Sequence, residues 1–243
     1  MRTAVRAEIR KLRFTRSLWA LPAFGLGVAV VGSVLLVSAG KATDIPARLS
    51  LFGPLRFGPT NFGLLLFVFG VRVFGDETQH RTLSATYAAT PDRRRVVATK
   101  ALVATATAVV FCAAADAVTI AITAIGLAAR DLPMSYDATA SALMLLRVVL
   151  TMVALAVIGV GVGVSFRNRS VAMVAAIVWF ALGESLLGGL LHIARFLPGA
   201  AVAGAVSNTD TASHLAALPS ALLLCGYAVL AATATGAALR RDV

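Results

Sequence analysis

Residues 138–166 read ATASALMLLRVVLTMVALAVIGVGVGVSF. Twenty-nine residues pass with one charge, Arg147. A helix needs roughly 20 apolar residues to cross a bilayer core, so this stretch is read as a membrane span. Similar runs flank it: 17–39, 57–75, 96–129, 171–193 and 215–239. The composition agrees. Hydrophobic residues make up 59% of the 243 residues and charged residues 14%. Soluble domains run about 45–50% apolar and about 25% charged. Mean hydropathy is +0.87. The expected fold is all-α: a single polytopic domain over 1–243 with six transmembrane helices. A cleavable signal peptide is the rival reading of the first run, since Val37-Ser38-Ala39 are small. The run exceeds the roughly 7–15 residues of a signal core, which favours a retained span.

Net charge is +11. In a soluble chain that balance would suggest nucleic acid. Here the basic residues sort by loop. One side would hold Arg2, Arg6, Arg10, Lys11, Arg13, Arg16, Arg81, Arg93, Arg94, Arg95, Lys100, Arg167, Arg169, Arg240 and Arg241; the other only Lys41, Arg48, Arg56, Arg130 and Arg195. The positive-inside rule makes the richer side cytoplasmic. Both termini are therefore expected in the cytoplasm, with the chain multi-pass in the cell (inner) membrane and no nucleic acid among its partners. Cys112 and Cys225 lie in apolar runs and read as small buried hydrophobes, with no disulfide or metal site.

Within the spans, Asp116, Arg147 and Glu184 are expensive in lipid and mark a translocation path or an interface. The competing reading is a structural ion pair or snorkelling from a span end; Arg72, close to the cytoplasmic boundary, suits snorkelling. Gly159, Gly161 and Gly163 suit close helix packing. Gly183-Glu184-Ser185 is followed by Leu187, so no Gly-x-Ser-x-Gly elbow forms and no catalytic residue is assigned. The run 96–129 is longer than a bilayer needs and should start in the cytoplasm.

Two connecting segments stand out. Phe74–Lys100 reads FGDETQHRTLSATYAATPDRRRVVATK. Asp76 and Glu77 can cap a short helix. Pro91 ends it, Asp92 caps the next, and the Arg93-Arg94-Arg95 cluster suits anionic headgroups. The second segment, 195–214, lies on the outer side yet is too apolar for an ordinary loop. A short helix is expected near Pro198, with Asn208, Asp210 and Thr211 turning into the last span. It is read as re-entrant, which requires a protein or aqueous covering. A helix flat on the surface is the alternative.

Gly75, the acidic pair, Arg81-Thr82-Leu83, Thr90-Pro91, Arg93 and Lys100 together resemble the first cytoplasmic loop of ABC-2-type transporter permeases. His80-Arg81-Thr82 departs from the Gly-Thr common there. Glu8–Arg13 with Arg16-Ser17 resembles the family's amphipathic lead-in, here residues 1–16. Leu197-Pro198, after Phe196, resembles its outer element. The resemblance implies a permease subunit without its own ATPase site, forming the path for an amphiphilic drug, lipid or metabolite by alternating access. It implies two ATP-binding subunits, which hold ATP and Mg, and a second permease, identical or homologous, among membrane lipids. The segment 76–95 would meet the ATPase through Asp76, Glu77, Thr78, Arg81, Thr82, Pro91, Arg93 and Arg94. No Walker A loop is present: Gly40-Lys41 is followed by Ala42. A secondary transporter or channel working without an ATPase, and a non-transporting membrane assembly protein, are the alternatives.

Overall fold

The computed structural model describes residues 2–14, 16–39, 52–79, 92–131, 138–166, 168–184, 186–187, 194–207 and 214–241. All regular structure among them is helical: α1 Arg2–Phe14, α2 Arg16–Ala39, α3 Phe52–Gln79, α4 Arg93–Ala128, α5 Ala138–Ser165, α6 Arg169–Val178, α7 Pro198–Ala205 and α8 Ala217–Arg241. A π turn, Trp179–Gly183, continues α6, and a 3-10 turn, Ala194–Phe196, precedes α7. By length and composition, the helices over Arg94–Ala128, Ala138–Ser165 and Ala217–Thr235 can cross a membrane.

Local chemistry explains where several helices start. Asp92 caps α4, its Oδ1 accepting from the N–H groups of Arg94 (3.1 Å) and Arg95 (3.3 Å). Asn168 caps α6 by accepting from Ser170 and Val171. Pro198 occupies the first turn of α7, where the missing N–H costs nothing. Asp76 and Glu77 do not open a new helix, contrary to expectation. They fall in the last turns of α3, which runs on to Gln79. Arg72 Nη2 pairs with Asp76 Oδ2 at 3.4 Å, one turn apart, and this offsets a carboxylate at the unfavourable end of the helix dipole.

The centre of the bundle is α3 against α5. A Cβ at Gly159 would overlap the carbonyl of Phe67, one at Gly163 that of Val71, and one at Gly70 the backbone of Ala156 and Val160. Backbone therefore touches backbone along this seam. Gly161 faces the other way, toward Ala231 of α8. The triple glycine serves packing on two sides.

Paired positions fix the helix directions. Phe67 meets Gly159 and Val71 meets Gly163, so α3 and α5 run parallel. α8 runs the same way, with Leu224 in the cluster of Leu155 and Ala231 against Gly161. Ser33 donates to Thr119 (3.3 Å) and Arg130 to the carbonyl of Ser38 (2.8 Å), so α2 and α4 run parallel to each other. Phe69 and Val73 share a cluster with Val103 and Ala104, near the start of α4, which sets α3 antiparallel to α4. The end of α3 and the starts of α2 and α4 thus gather at one end of the bundle. α4 has 36 residues, about 54 Å at 1.5 Å per residue, well beyond a core of about 30 Å. Its first turns pack against α1.

Candidate functional site

Two places stand out. The first is the end of the bundle where α1, α3 and α4 meet. Lys100 Nζ donates to Glu8 Oε2 (3.2 Å) and to the carbonyl of Val73 (3.2 Å). It lies 6.0 Å from the centre of the Phe74 ring. Its side chain is only 1% exposed. Glu8 also takes Lys11 Nζ at 3.3 Å. A charge buried this deeply needs a partner. The partner comes from α1, 92 positions earlier. The node ties the lead-in helix to both helices that bracket residues 80–91.

Of the residues expected to face an ATPase, the described ones lie on the two helices, α3 and α4, that meet at this node. Asp76 is half-buried and paired with Arg72. Glu77 and Thr78 lie in the last turn of α3, and Arg93 opens α4. Arg94 is exposed in the first turn of α4. Arg81, Thr82 and Pro91 lie outside the described residues. Sequence reading missed the Lys100–Glu8 pair, although a signal existed. Lys100 stands in an apolar run, and Glu8 is the only acid before Asp44.

The second place is an apolar cavity of about 240 Å³. Its floor is one stripe of α5, Leu155, Ile158 and Val162, continued by Phe166 just past the end of that helix. Ala172, Ala175, Ala176, Trp179 and Phe180 of α6 and the π turn form one wall. Phe67, Pro198 and Tyr227 complete it. α6 packs mainly on α3 and α8 on α5, which leaves the gap between them. Phe67 and Phe180 meet edge to face, with centroids 5.6 Å apart.

Glu184 comes directly after the π turn, at the Pro198 end of this cavity. Its Oε1 accepts from the Gly199 N–H at 2.7 Å. It caps α7 in place of Leu197, which has no side chain suited to the task. A Cβ at Gly199 would overlap that carboxylate, which would have to shift away from the N-terminus of α7. The extra residue of the π turn rotates Glu184 about the helix axis, and π turns often mark functional positions. Tyr227 donates to the carbonyl of Phe196 at 2.6 Å and holds the 3-10 turn against α8. Phe196 is exposed and Leu197 half-buried, while Ala201, Val202, Ala205 and Val206 of the following helix and turn are buried against α3, α5 and α8. Asn208, Asp210 and Thr211 lie outside the described residues.

Asp116, Arg147 and Glu184 serve separate elements. Asp116 is 8% exposed and accepts from Cys112 Sγ, one turn earlier in α4, at 3.5 Å. Arg147 is half-buried on α5. Cys112 is buried as expected. Cys225 instead is exposed on the outward face of α8, because that helix presents its apolar surface away from the bundle. Among the described residues, no three His, Cys, Asp or Glu side chains converge as a metal would require.

No known family model matches the chain, and no curated protein matches it. Its apolar helices fit a membrane protein.

Proposed function

We propose that this chain is the membrane-spanning permease subunit of an ATP-driven exporter of the ABC-2 type. It would cross the inner membrane six times, with both termini in the cytoplasm. The observation that carries the reading is the Glu8–Lys100–Val73 node. It makes α1, the end of α3 and the start of α4 one braced unit, and residues 80–91 join two of its arms in sequence. A motor subunit pushing on that segment would move two core helices together. Alternating helix directions and the collection of basic residues at one end support the topology. ATP and Mg would be held and hydrolysed in two partner subunits. A second permease would complete the path.

Topology is tested by cysteine accessibility after Cys112 and Cys225 are replaced by alanine. A cysteine introduced beside Lys41 should react with an impermeant reagent added outside intact cells, and one beside Arg94 should not. The reverse pattern would invert the orientation.

The partner is tested by affinity purification of the full chain from its native membrane. An ATP-binding subunit should copurify, and its recovery should fall severalfold with Glu77→Ala and Arg81→Ala combined while the chain stays monodisperse. Ion-gradient-driven flux through the purified chain alone, with no ATPase recovered, would move the reading to a secondary transporter.

A further inference from the structure

The cavity between α6 and α8 is a slot rather than a chamber. From Leu155 to Phe166 its floor runs about 16 Å at 1.5 Å per residue, the Phe166 N–H still donating to the Val162 carbonyl as in a helix. Drug-sized ligands usually occupy roughly 300–1,000 Å³. The 240 Å³ available suits something thin. Of the lining residues, Trp179 and Tyr227 alone carry a polar side-chain atom, and the Tyr227 hydroxyl is bonded to the Phe196 carbonyl. A charged group drawn into the slot would lose its water and meet apolar carbon. Hydrocarbon suits the slot.

The slot also has a direction. One end lies where α5 gives way to α6, at Phe166 and Ala172. The other lies at Trp179 and Phe180, since Phe180 meets Phe67 and Phe67 sits against Gly159. Val71 sits against Gly163 and the Val73 carbonyl takes Lys100, so the Phe166 end is level with the Lys100 node, where charged side chains gather. The floor covers α5 from just past its middle to its end. That helix is long and apolar enough to cross a membrane. A bilayer core is about 30 Å thick, so a floor of about 16 Å matches the depth of one leaflet. Phe166 is followed in sequence by Arg167, Asn168 and Arg169, and no acid occurs between Asp137 and Glu184. Basic residues next to a span attract anionic headgroups. Trp179 is 41% exposed, so the slot is open along its side.

We propose that this slot holds one acyl chain of an anionic phospholipid. The chain lies along Leu155, Ile158 and Val162 with its methyl end toward Trp179. The phosphate sits at the Phe166 mouth, where Arg167 and Arg169 follow in the sequence. The site lies within one protein chain. The inference rests on that chain lying in a membrane and not on its being a permease.

The chain has two tryptophans, Trp19 and Trp179, almost equally exposed at 40% and 41%. Of the two, Trp179 lines the slot. Each single-tryptophan protein, Trp19→Phe or Trp179→Phe, is placed full-length in phosphatidylcholine nanodiscs. The discs carry a rising mole fraction of phosphatidylglycerol brominated on its acyl chains, a quencher of indole fluorescence. The readout is the mole fraction giving half the final quenching, which does not depend on how deep each indole lies. Trp179 should reach it at a mole fraction about tenfold below that of Trp19. Brominated phosphatidylcholine should need severalfold more than phosphatidylglycerol at Trp179, because the basic mouth favours the anionic headgroup. Ala175→Phe, at an exposed lining position, should raise the Trp179 value to that of Trp19. Arg167→Gln with Arg169→Gln should remove the headgroup preference. Equal values for the two tryptophans, or a Trp179 value unmoved by Ala175→Phe, would overturn the site. Equal values for the two headgroups would overturn the anionic assignment. Failure to quench Trp179 at any fraction would mean that protein, such as a second copy, covers the slot instead. If Ala175→Phe fails to fold, the two tryptophans and the two headgroups still decide the point. Any of these outcomes could occur while an ATPase still copurifies, so the permease reading stands or falls separately.

Discussion

Gly159→Leu is expected to prevent the chain from folding to a single stable species, and Gly159→Ala to lower its stability clearly. The reason is the α3–α5 seam. Even one methyl group at position 159 falls on the Phe67 carbonyl and the Cα of Gly70, which are backbone atoms that no rotamer change can move. Overpacking a filled site costs about 1–3 kcal/mol and sometimes more. In lipid no hydrophobic force between helices compensates, because close packing is itself the driving force. Gly226 supplies the control. Nothing stands within 4 Å of a Cβ there. Gly226→Ala should be neutral, or stabilising by up to about 1 kcal/mol through helix propensity. Thermal unfolding of the purified variants in one detergent gives the comparison. Equal midpoints for Gly159→Ala and Gly226→Ala would show that α3 and α5 are not in backbone contact.

The seam shows what was legible in the sequence. Three small residues in a long apolar run signal close packing, and that signal is local. The helical segments were legible for the same reason: apolar length is a property of the run itself. So were the unusual length of α4, the Asp92 cap and the start of a helix at Pro198. What stayed hidden depends on pairing across the chain. Lys100 and Glu8 were both visible, but nothing local joins residues 92 positions apart. Glu184 reads as a pathway charge until its distance to the Gly199 N–H shows it capping α7. The π turn before it, Trp179–Gly183, was not read from the residue types there. Asp76 reads as a cap because an acid near a charged stretch suggests a helix start. Its partner Arg72 lies one turn back and lets α3 continue through it.

The Lys100 node predicts a non-additive pair of mutations. Lys100→Met alone leaves the Glu8 carboxylate, 11% exposed, with only the half-exposed Lys11. Glu8→Gln alone takes the carboxylate away from a buried ammonium that keeps the Val73 carbonyl and the Phe74 ring. Breaking a buried pair from one side costs about 3–5 kcal/mol, because the remaining charge is uncompensated. The second substitution should be the worse of the two, since Lys100 is the more deeply buried partner. Replacing both with apolar residues, Lys100→Met with Glu8→Leu, removes the attraction and the desolvation cost together and should recover most of the loss. A double-mutant cycle on thermal unfolding, with trypsin sensitivity of the Arg-rich α1 as a second readout, measures this. The order expected is wild type near the double variant, then Lys100→Met, then Glu8→Gln. Additive losses would mean that the two residues do not share one buried pair. The double variant then separates folding from function. If the node only holds the bundle together, restored stability should restore ATPase recovery in the affinity purification. If it braces α1, α3 and α4 for the motor, the double variant folds and still recovers severalfold less ATPase, because apolar side chains at positions 8 and 100 cannot reproduce the directed bonds from Lys100 to Glu8 and to the Val73 carbonyl.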